Sequence, residues 1–249
     1  MKKYQGVKER LDIVLFKKAL AGSRERAKAL IIGGNVLVDG SPVTKAGAMI
    51  NDASLISLKS PDIPYVSRGG LKLEAAVRAF GIDLQGRIAM DVGASTGGFT
   101  DCLLQMGAKK VYSIDVGYGQ FDWRLRQDAR VFLLERTNIR YLQRQAIPDE
   151  IDIAAVDVSF ISLRKVIPKV MEFLSPGGEI VALIKPQFEA GRADVGKGGI
   201  VRDGQKRLKA VEDVKQAMEE LGMEAAGLIE SPLKGQKGNI EYLIHLKRY

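Results

Sequence analysis

The sequence predicts an α/β fold: a doubly wound, mostly parallel sheet with helices on both faces, preceded by a small basic α+β unit. Three observations predict it. From residue 66 onward, apolar runs suited to buried strands alternate with helix-like segments, the pattern of a parallel sheet. A run of small residues, Gly93-Ala94-Ser95-Thr96-Gly97-Gly98, stands between the first of those strands and a helix. Positive charge is gathered ahead of them. Residues 1–60 hold eleven Lys or Arg against five Asp or Glu, an excess of +6 out of a net +8 for the 249-residue chain.

In the basic unit, Leu11, Val14, Leu15 and Leu20 suggest a short amphipathic helix. Ser23 is a suitable N-cap for a second helix, Arg24 to Ile32, which Gly33-Gly34 would end. Its bases Arg24, Arg26 and Lys28 alternate with Ala27, Leu30 and Ile31. Asn35 to Gly40 reads as a strand running into a tight turn, followed by Val43 and Ile50. A basic face concentrated here favours a polyanion such as nucleic acid. Ser60-Pro61-Asp62-Ile63-Pro64 has two prolines in four residues and reads as a short, stiff linker. The expected division is residues 1–60, a linker over 61–66, and a second domain over 67–249.

In that second domain, Gly70 to Phe80 reads as a helix. Strands are expected at 88–92, 110–115, 130–134, 151–157 and 179–185, and helices at 98–106, 163–173 and 203–221. Leu163, Val166, Ile167, Val170, Met171 and Leu174 give the helix 163–173 and its end one apolar face. Two closing strands, about 224–230 and 240–247, form a hairpin that makes the last one antiparallel.

Several classes are excluded. Cys102 is the only cysteine and His245 the only histidine, so neither a disulfide nor a clustered zinc site is expected. Cys102 lies inside a helix and reads as a small packed residue. A Ser-His-Asp triad would need His245, which sits in a strand. No apolar stretch follows the charged residues Met1 to Leu11, and no run approaches the length of a membrane span. The expectation is a cytoplasmic protein with no membrane partner and no metal. Oligomeric state has no signature.

The small-residue run is suited to a ligand. Glycine lets the backbone approach without a Cβ in the way, and the following helix N-terminus adds exposed N–H groups. Asp115, 24 residues after Asp91, ends the next strand, where an acid can grip two ribose hydroxyls. By spacing this is a Rossmann-like cofactor site. A dinucleotide enzyme would show G-x-G-x-x-G; here the run is G-x-S-x-G-G-F, led by Asp91. The stretch D-V-G-A-S-T-G-G-F-T resembles motif I of the methyltransferases, especially the FtsJ-like ribose 2′-O-methyltransferases. The resemblance implies S-adenosylmethionine, which needs no phosphate cradle and whose cationic groups suit an acid at a strand end. It implies cofactor contacts from Asp91, Gly93, Ser95, Gly97, Gly98, Phe99 and Asp115. Asn138, after the third strand, lies in a loop that commonly faces adenine in that class; a plain turn is the other reading.

Asp157 and Lys185 end the fourth and fifth strands, and ligands sit beyond the carboxyl ends of such strands. Lys72 lies on the helix ahead of the first strand and Glu241 at the start of the last. The four resemble the Lys-Asp-Lys-Glu tetrad of the FtsJ-like ribose methyltransferases. S-R-G-G-x-K-L, D-V-S-F-I-S-L, I-K-P-Q-F-E and G-N-x-E-Y resemble the TlyA family. R-L-D-x-x-L followed by S-R-x-x-A-x-x-L-I-x-x-G-x-V-x-V-D-G resembles the S4 RNA-binding domain over about fifty residues. Together the resemblance covers nearly the whole chain. It implies 2′-O-methylation of ribosomal RNA cytidines, with Arg10, Arg24, Arg26, Lys28 and Arg68 toward the RNA and ribosomal RNA or a ribosomal subunit as partner. Lys185 would take the ribose proton or stabilise the alkoxide. TlyA proteins also carry the name haemolysin, but a membrane-active protein would want an apolar segment and none is visible. A non-catalytic ribosome-assembly factor would not need the tetrad. Family members that modify both subunits tend to carry a further C-terminal helix. This chain stops at Tyr249 after its last strand, so large-subunit RNA is favoured. Phe188 to Arg202 holds four glycines and reads as a lid over the substrate or as a plain flexible loop.

Overall fold

The computed structural model describes residues 8–59, 63–191 and 194–248. The chain forms two compact units, one up to Pro64 and one from Tyr65 onward. Of the expected linker, Pro61 and Asp62 lie outside the described residues, as does Ser60 before it.

The first unit runs β1 (Lys8–Arg10), α1 (Leu11–Lys17), α2 (Arg24–Ile32), β2 (Val36–Val38), β3 (Ser41–Pro42), β4 (Met49–Asn51) and β5 (Ile56–Leu58). Leu11, Val14 and Leu15 on α1 meet Ala27, Leu30 and Ile31 on α2, both sets at i, i+3, i+4, over Val36, Ile50 and Ile56. Ser23 caps α2 as expected, its Oγ accepting from Arg26 N–H at 3.1 Å. Leu20 falls outside α1: Ala19 takes φ 54° and stops the helix, and Leu20 packs on the core from the turn. Strand β2 pairs antiparallel with β3 and β5, and β1 with β4. Asp39 and Gly40, φ 51° and 79°, make the two-residue turn joining β2 to β3, whose positive dihedrals match the strand twist.

Asp12 is fully buried at the foot of α1. Arg10 donates to both its oxygens at 2.9 and 3.1 Å, and Arg24 to one at 3.4 Å. The Arg10 hydrogen bonds outweigh burial and hold the carboxyl at about 2. A carboxyl depressed in the fold stabilises it above its ordinary range and loses that contribution as pH falls toward 2. Asp12→Asn should therefore cost the first unit about 2 kcal/mol at neutral pH. The variant should also lose the steep weakening of the wild type between about pH 4 and pH 2. Amide exchange across residues 11–32 checks both; equal protection in the two proteins at pH 7 would contradict the pairing.

The second unit runs α3 (Gly69–Phe80), β6 (Ile88–Val92), α4 (Gly98–Gln105), β7 (Lys110–Ile114), α5 (Trp123–Arg126), β8 (Val131–Leu134), β9 (Ile151–Val156), α6 (Ile167–Met171), β10 (Leu174–Ile184), α7 (Pro186–Glu189), α8 (Gly204–Glu220), β11 (Met223–Glu230) and β12 (Tyr242–Arg248). One seven-stranded sheet has the order β11-β12-β10-β9-β6-β7-β8. Strands β6 to β10 are parallel, and β12 runs antiparallel between β10 and β11. The central strands β6 and β9 are buried at nearly every position, which is why they read as mainly apolar runs broken only by Asp91 and Asp152.

The expected helix 163–173 is interrupted. Residues 163–165 form a 3-10 turn, and α6 starts afresh around Pro168. Proline lacks the N–H that a continuous helix would need and suits a first turn instead. Strand β10 starts five residues earlier than expected, because Leu174 already pairs with Ile151 ahead of an irregularity that ends at Glu179. Cys102 is fully buried, and burial pushes its thiol up to about 12. His245 Nε2 lies 2.6 Å from Glu179 Oε2, and Arg87 reaches the other oxygen at 2.6 Å. His245 is thus engaged with Glu179 inside the sheet, stacked on Phe80.

Candidate active site

The chain enters the sheet at its centre, fills one side through β7 and β8, and returns to the other through β9. The reversal between β6 and β9 opens a crevice beyond their carboxyl ends, the usual ligand position in such sheets. Three hollows line up there. One of about 550 Å³ includes Asp115, Asn138, Ser159, Phe160 and Phe188 in its walls. One of about 310 Å³ includes Arg68, Lys72, Ser95, Gly98, Phe99 and Asp157. A third, of about 370 Å³, shares Ser159, Phe160 and Phe188 with the first and Lys72, Ser95 and Asp157 with the second.

All four tetrad positions line that shared hollow. Lys72, on the first turn of α3, lies 2.6 Å from Glu241 Oε2, with Glu241 almost wholly buried. Lys185, at the end of β10, lies 2.6 Å from Asp157 Oδ1 at the end of β9, and its ammonium donates to Ser159 Oγ at 2.8 Å. Two cation–carboxylate pairs therefore face one cavity. Gly235 closes over the first: a Cβ there would sit 2.0 Å from Glu241 Oε1. Neither Ser159 nor Gly235 was singled out from sequence. Ser159 had a signal, standing two residues after Asp157 in D-V-S-F; Gly235 had none beyond its residue type.

The glycine loop is placed by its surroundings. Gly93, at φ 89°, packs so tightly that a Cβ would lie 2.3 Å from the Asp157 carbonyl oxygen. This brings the loops after β6 and β9 together. Gly97, in a left-handed conformation, precedes the first turn of α4, where Gly98 and Phe99 follow. Asp115 Oδ2 accepts from Ser95 N–H at 2.7 Å and its Oδ1 from Gly117 N–H at 2.6 Å. Asn138 Oδ1 accepts from Arg140 N–H at 3.1 Å while the residue also lines the large hollow. That hollow has apolar walls at Ile114, Ile139, Val158 and Ile161, with an acid and an amide at its edge. Such lining fits a nucleoside: apolar surface for a base, a carboxylate for ribose hydroxyls.

Asp91 needs a different account from the one its position suggested. Its side chain turns inward, is fully buried, and lines none of the three hollows. Oδ2 accepts from Thr100 N–H at 2.9 Å and from Thr100 Oγ1 at 2.6 Å, so it anchors α4, while the buried Oδ1 has no hydrogen-bond partner among the described residues. Burial, opposed by the Thr100 bonds and reinforced by nearby Asp157, raises its carboxyl to about 7.

The bases named for RNA are spread. Arg68 is exposed and lines the 310 Å³ hollow. Arg10 and Arg24 are engaged with Asp12. Arg24 and Lys28 share one face of α2, whereas a helical period of about 100° per residue turns Arg26 to the far side.

Residues 65–248 match the FtsJ-like methyltransferase family model, and residues 9–53 match the S4 domain. The 16S/23S rRNA (cytidine-2′-O)-methyltransferase TlyA of Mycobacterium tuberculosis is 44% identical over 239 residues, covering 96% of this chain and 89% of that protein. Hemolysin A of Brachyspira hyodysenteriae is 45% identical over 237 residues, covering 95% and 98%. A solved structure described as a "putative hemolysin" from Streptococcus thermophilus superposes with a TM-score of 0.76 at 44% identity, covering 97% of this chain and 88% of that one. The strand order, the paired lysines and acids around one cavity and these matches agree: the chain belongs to the FtsJ-like methyltransferase family, in the branch that carries an S4 domain ahead of the catalytic fold.

Proposed function

We propose that this protein transfers a methyl group from S-adenosylmethionine to the ribose 2′-hydroxyl of a cytidine in ribosomal RNA. The observation that carries the reading is the pair of lysine–carboxylate contacts facing one cavity beside a nucleoside-sized hollow. S-adenosylmethionine supplies an electrophilic methyl carbon. Gly93, Ser95, Gly97, Gly98, Phe99, Asp115 and Asn138 are the residues assigned to hold it, with Asp91 bracing α4 beneath them.

A ribose hydroxyl attacks poorly until it sheds its proton. Lys185 is assigned to meet that hydroxyl, since its ammonium nitrogen is held at the strand end by Asp157 and Ser159. As the C–O bond forms, the methyl–sulfur bond breaks and the sulfur leaves as a neutral thioether; the hydroxyl proton passes to Lys185 in its neutral amine form, or Lys185 in its ammonium form stabilises the oxygen as it becomes anionic. Glu241 holds Lys72 on the opposite wall and balances its charge. Fixing donor and hydroxyl in line removes much of the entropic cost. Arg10, Arg24, Arg26, Lys28 and Arg68 are assigned to the RNA. No helix among the described residues is long and apolar enough to cross a membrane.

The test is methyl transfer from labelled S-adenosylmethionine to each purified ribosomal subunit, followed by nuclease digestion. Label in 2′-O-methylcytidine is the expected result. Label in a base-methylated nucleoside, or in protein, would contradict it.

A further inference from the structure

We propose that the turn from Ser231 to Asn239 holds a phosphodiester of the RNA chain beside the reaction cavity, through Lys234 and Lys237. The proposal rests on the RNA reading above and adds a place for the backbone next to the reacting nucleotide.

Lys72 and Lys185 bring two positive charges to the cavity, and Glu241 and Asp157 bring two negative ones at 2.6 Å from each. The tetrad is neutral as a set and offers a polyanion no net attraction. Attraction must come from the rim. Lys234 lines the 310 Å³ hollow with Arg68, and Lys237 lines the hollow that holds the tetrad. Both lysines are exposed. Among the described residues neither has a carboxylate within ion-pair distance, unlike the two cavity lysines. An unpaired ammonium on a flexible stem is a suitable point charge for phosphate.

The turn that carries them is built. Ser231 N–H donates to the Glu241 carbonyl at 2.8 Å, and Ser231 Oγ donates to the Leu233 carbonyl at 2.8 Å. Gly235 N–H donates to the Asn239 carbonyl at 2.8 Å, and Gly238 N–H to the Gly235 carbonyl at 3.1 Å. The buried Asn239 side chain donates to the Gly199 carbonyl at 2.9 Å, tying the turn to another wall of the same hollow. Lys237 takes φ 57°, a left-handed conformation that a side chain adopts at a cost. Non-glycine backbone held there clusters at functional sites. Gly235 presses on Glu241, so the two lysines flank the tetrad from a fixed base.

The experiment compares full-length wild type with Lys234→Ala/Lys237→Ala and Lys234→Arg/Lys237→Arg. Binding of a fluorescein-labelled, mixed-sequence single-stranded RNA is followed by anisotropy from about 50 to about 300 mM KCl, with KM for purified ribosomal subunits measured alongside. The alanine pair should make the slope of log K against log salt shallower by about 1.4, two contacts at about 0.7 each. KM should rise about tenfold or more, with S-adenosylmethionine affinity held. The arginine pair should keep the wild-type slope. Lys209→Ala, on an exposed face of α8, should leave the slope alone. A wild-type slope and KM in the alanine pair would overturn the proposal while leaving the methyltransferase reading intact. A slope lost as fully in the arginine pair would overturn it too, since charge would then not be the cause. An absence of salt-dependent RNA binding by the wild type would remove the RNA reading itself.

Discussion

Lys185→Ala is expected to lower the single-turnover rate of methyl transfer by about 10²- to 10⁴-fold while S-adenosylmethionine and RNA still bind. Lys185 ends β10 and meets Asp157 at 2.6 Å and Ser159 at 2.8 Å. Its side chain is only 11% exposed, so water would not readily replace it as a proton partner. An interaction made with the hydroxyl as it ionises matters more in the transition state than in the ground state, so the loss should fall on the chemical step. Lys185→Arg separates the two roles open to this residue. Arginine keeps the charge but does not act as a base near neutral pH. Full activity in the arginine variant means charge stabilisation; activity as low as in the alanine variant means proton transfer. Wild-type activity in Lys185→Ala would remove the tetrad from the mechanism.

Asp115→Ala should weaken S-adenosylmethionine binding by about 100-fold in a protein that still folds. One carboxylate oxygen takes Ser95 N–H from the glycine loop and the other takes Gly117 N–H from its own loop. Losing the side chain therefore removes a carboxylate available for ribose and releases the loop that forms the neighbouring wall. Asp115→Asn should lie between, because its amide oxygen can keep one of the two backbone bonds. Calorimetric titration with S-adenosylmethionine checks both variants. An unchanged affinity in a folded alanine variant would take Asp115 out of the cofactor site.

Much of the larger unit was legible because its central strands are parallel and buried. Strands such as Ile151–Val156 carry no polar alternation, and short glycine-rich or capped turns mark their ends. The strands of the first unit, two or three residues long, are too short to show a period, and most had no sequence signal. Strand-end residues of the crevice could be named in order, since the carboxyl ends of parallel strands share one edge. Their partners could not. Lys72 and Glu241 meet across 169 residues, and nothing in the spacing says that they pair. Asp91 shows the limit most clearly. A strand-end acid can turn outward to a ligand or inward to the following helix, and here Thr100 draws it inward. On α2, the S4 resemblance assigns Arg24, Arg26 and Lys28 to the RNA together, whereas the helical turn divides Arg26 from Arg24 and Lys28.

Mapping alkali-resistant 2′-O-methyl positions across ribosomal RNA from cells lacking this protein tests the methyl transfer itself. The same cells are then supplied with either the wild-type chain or Lys185→Ala. At least one cytidine is expected to gain a 2′-O-methyl group with the wild type and to stay unmodified with the variant at equal protein level. Identical methylation maps in all three samples, or a site restored equally by Lys185→Ala, would contradict it.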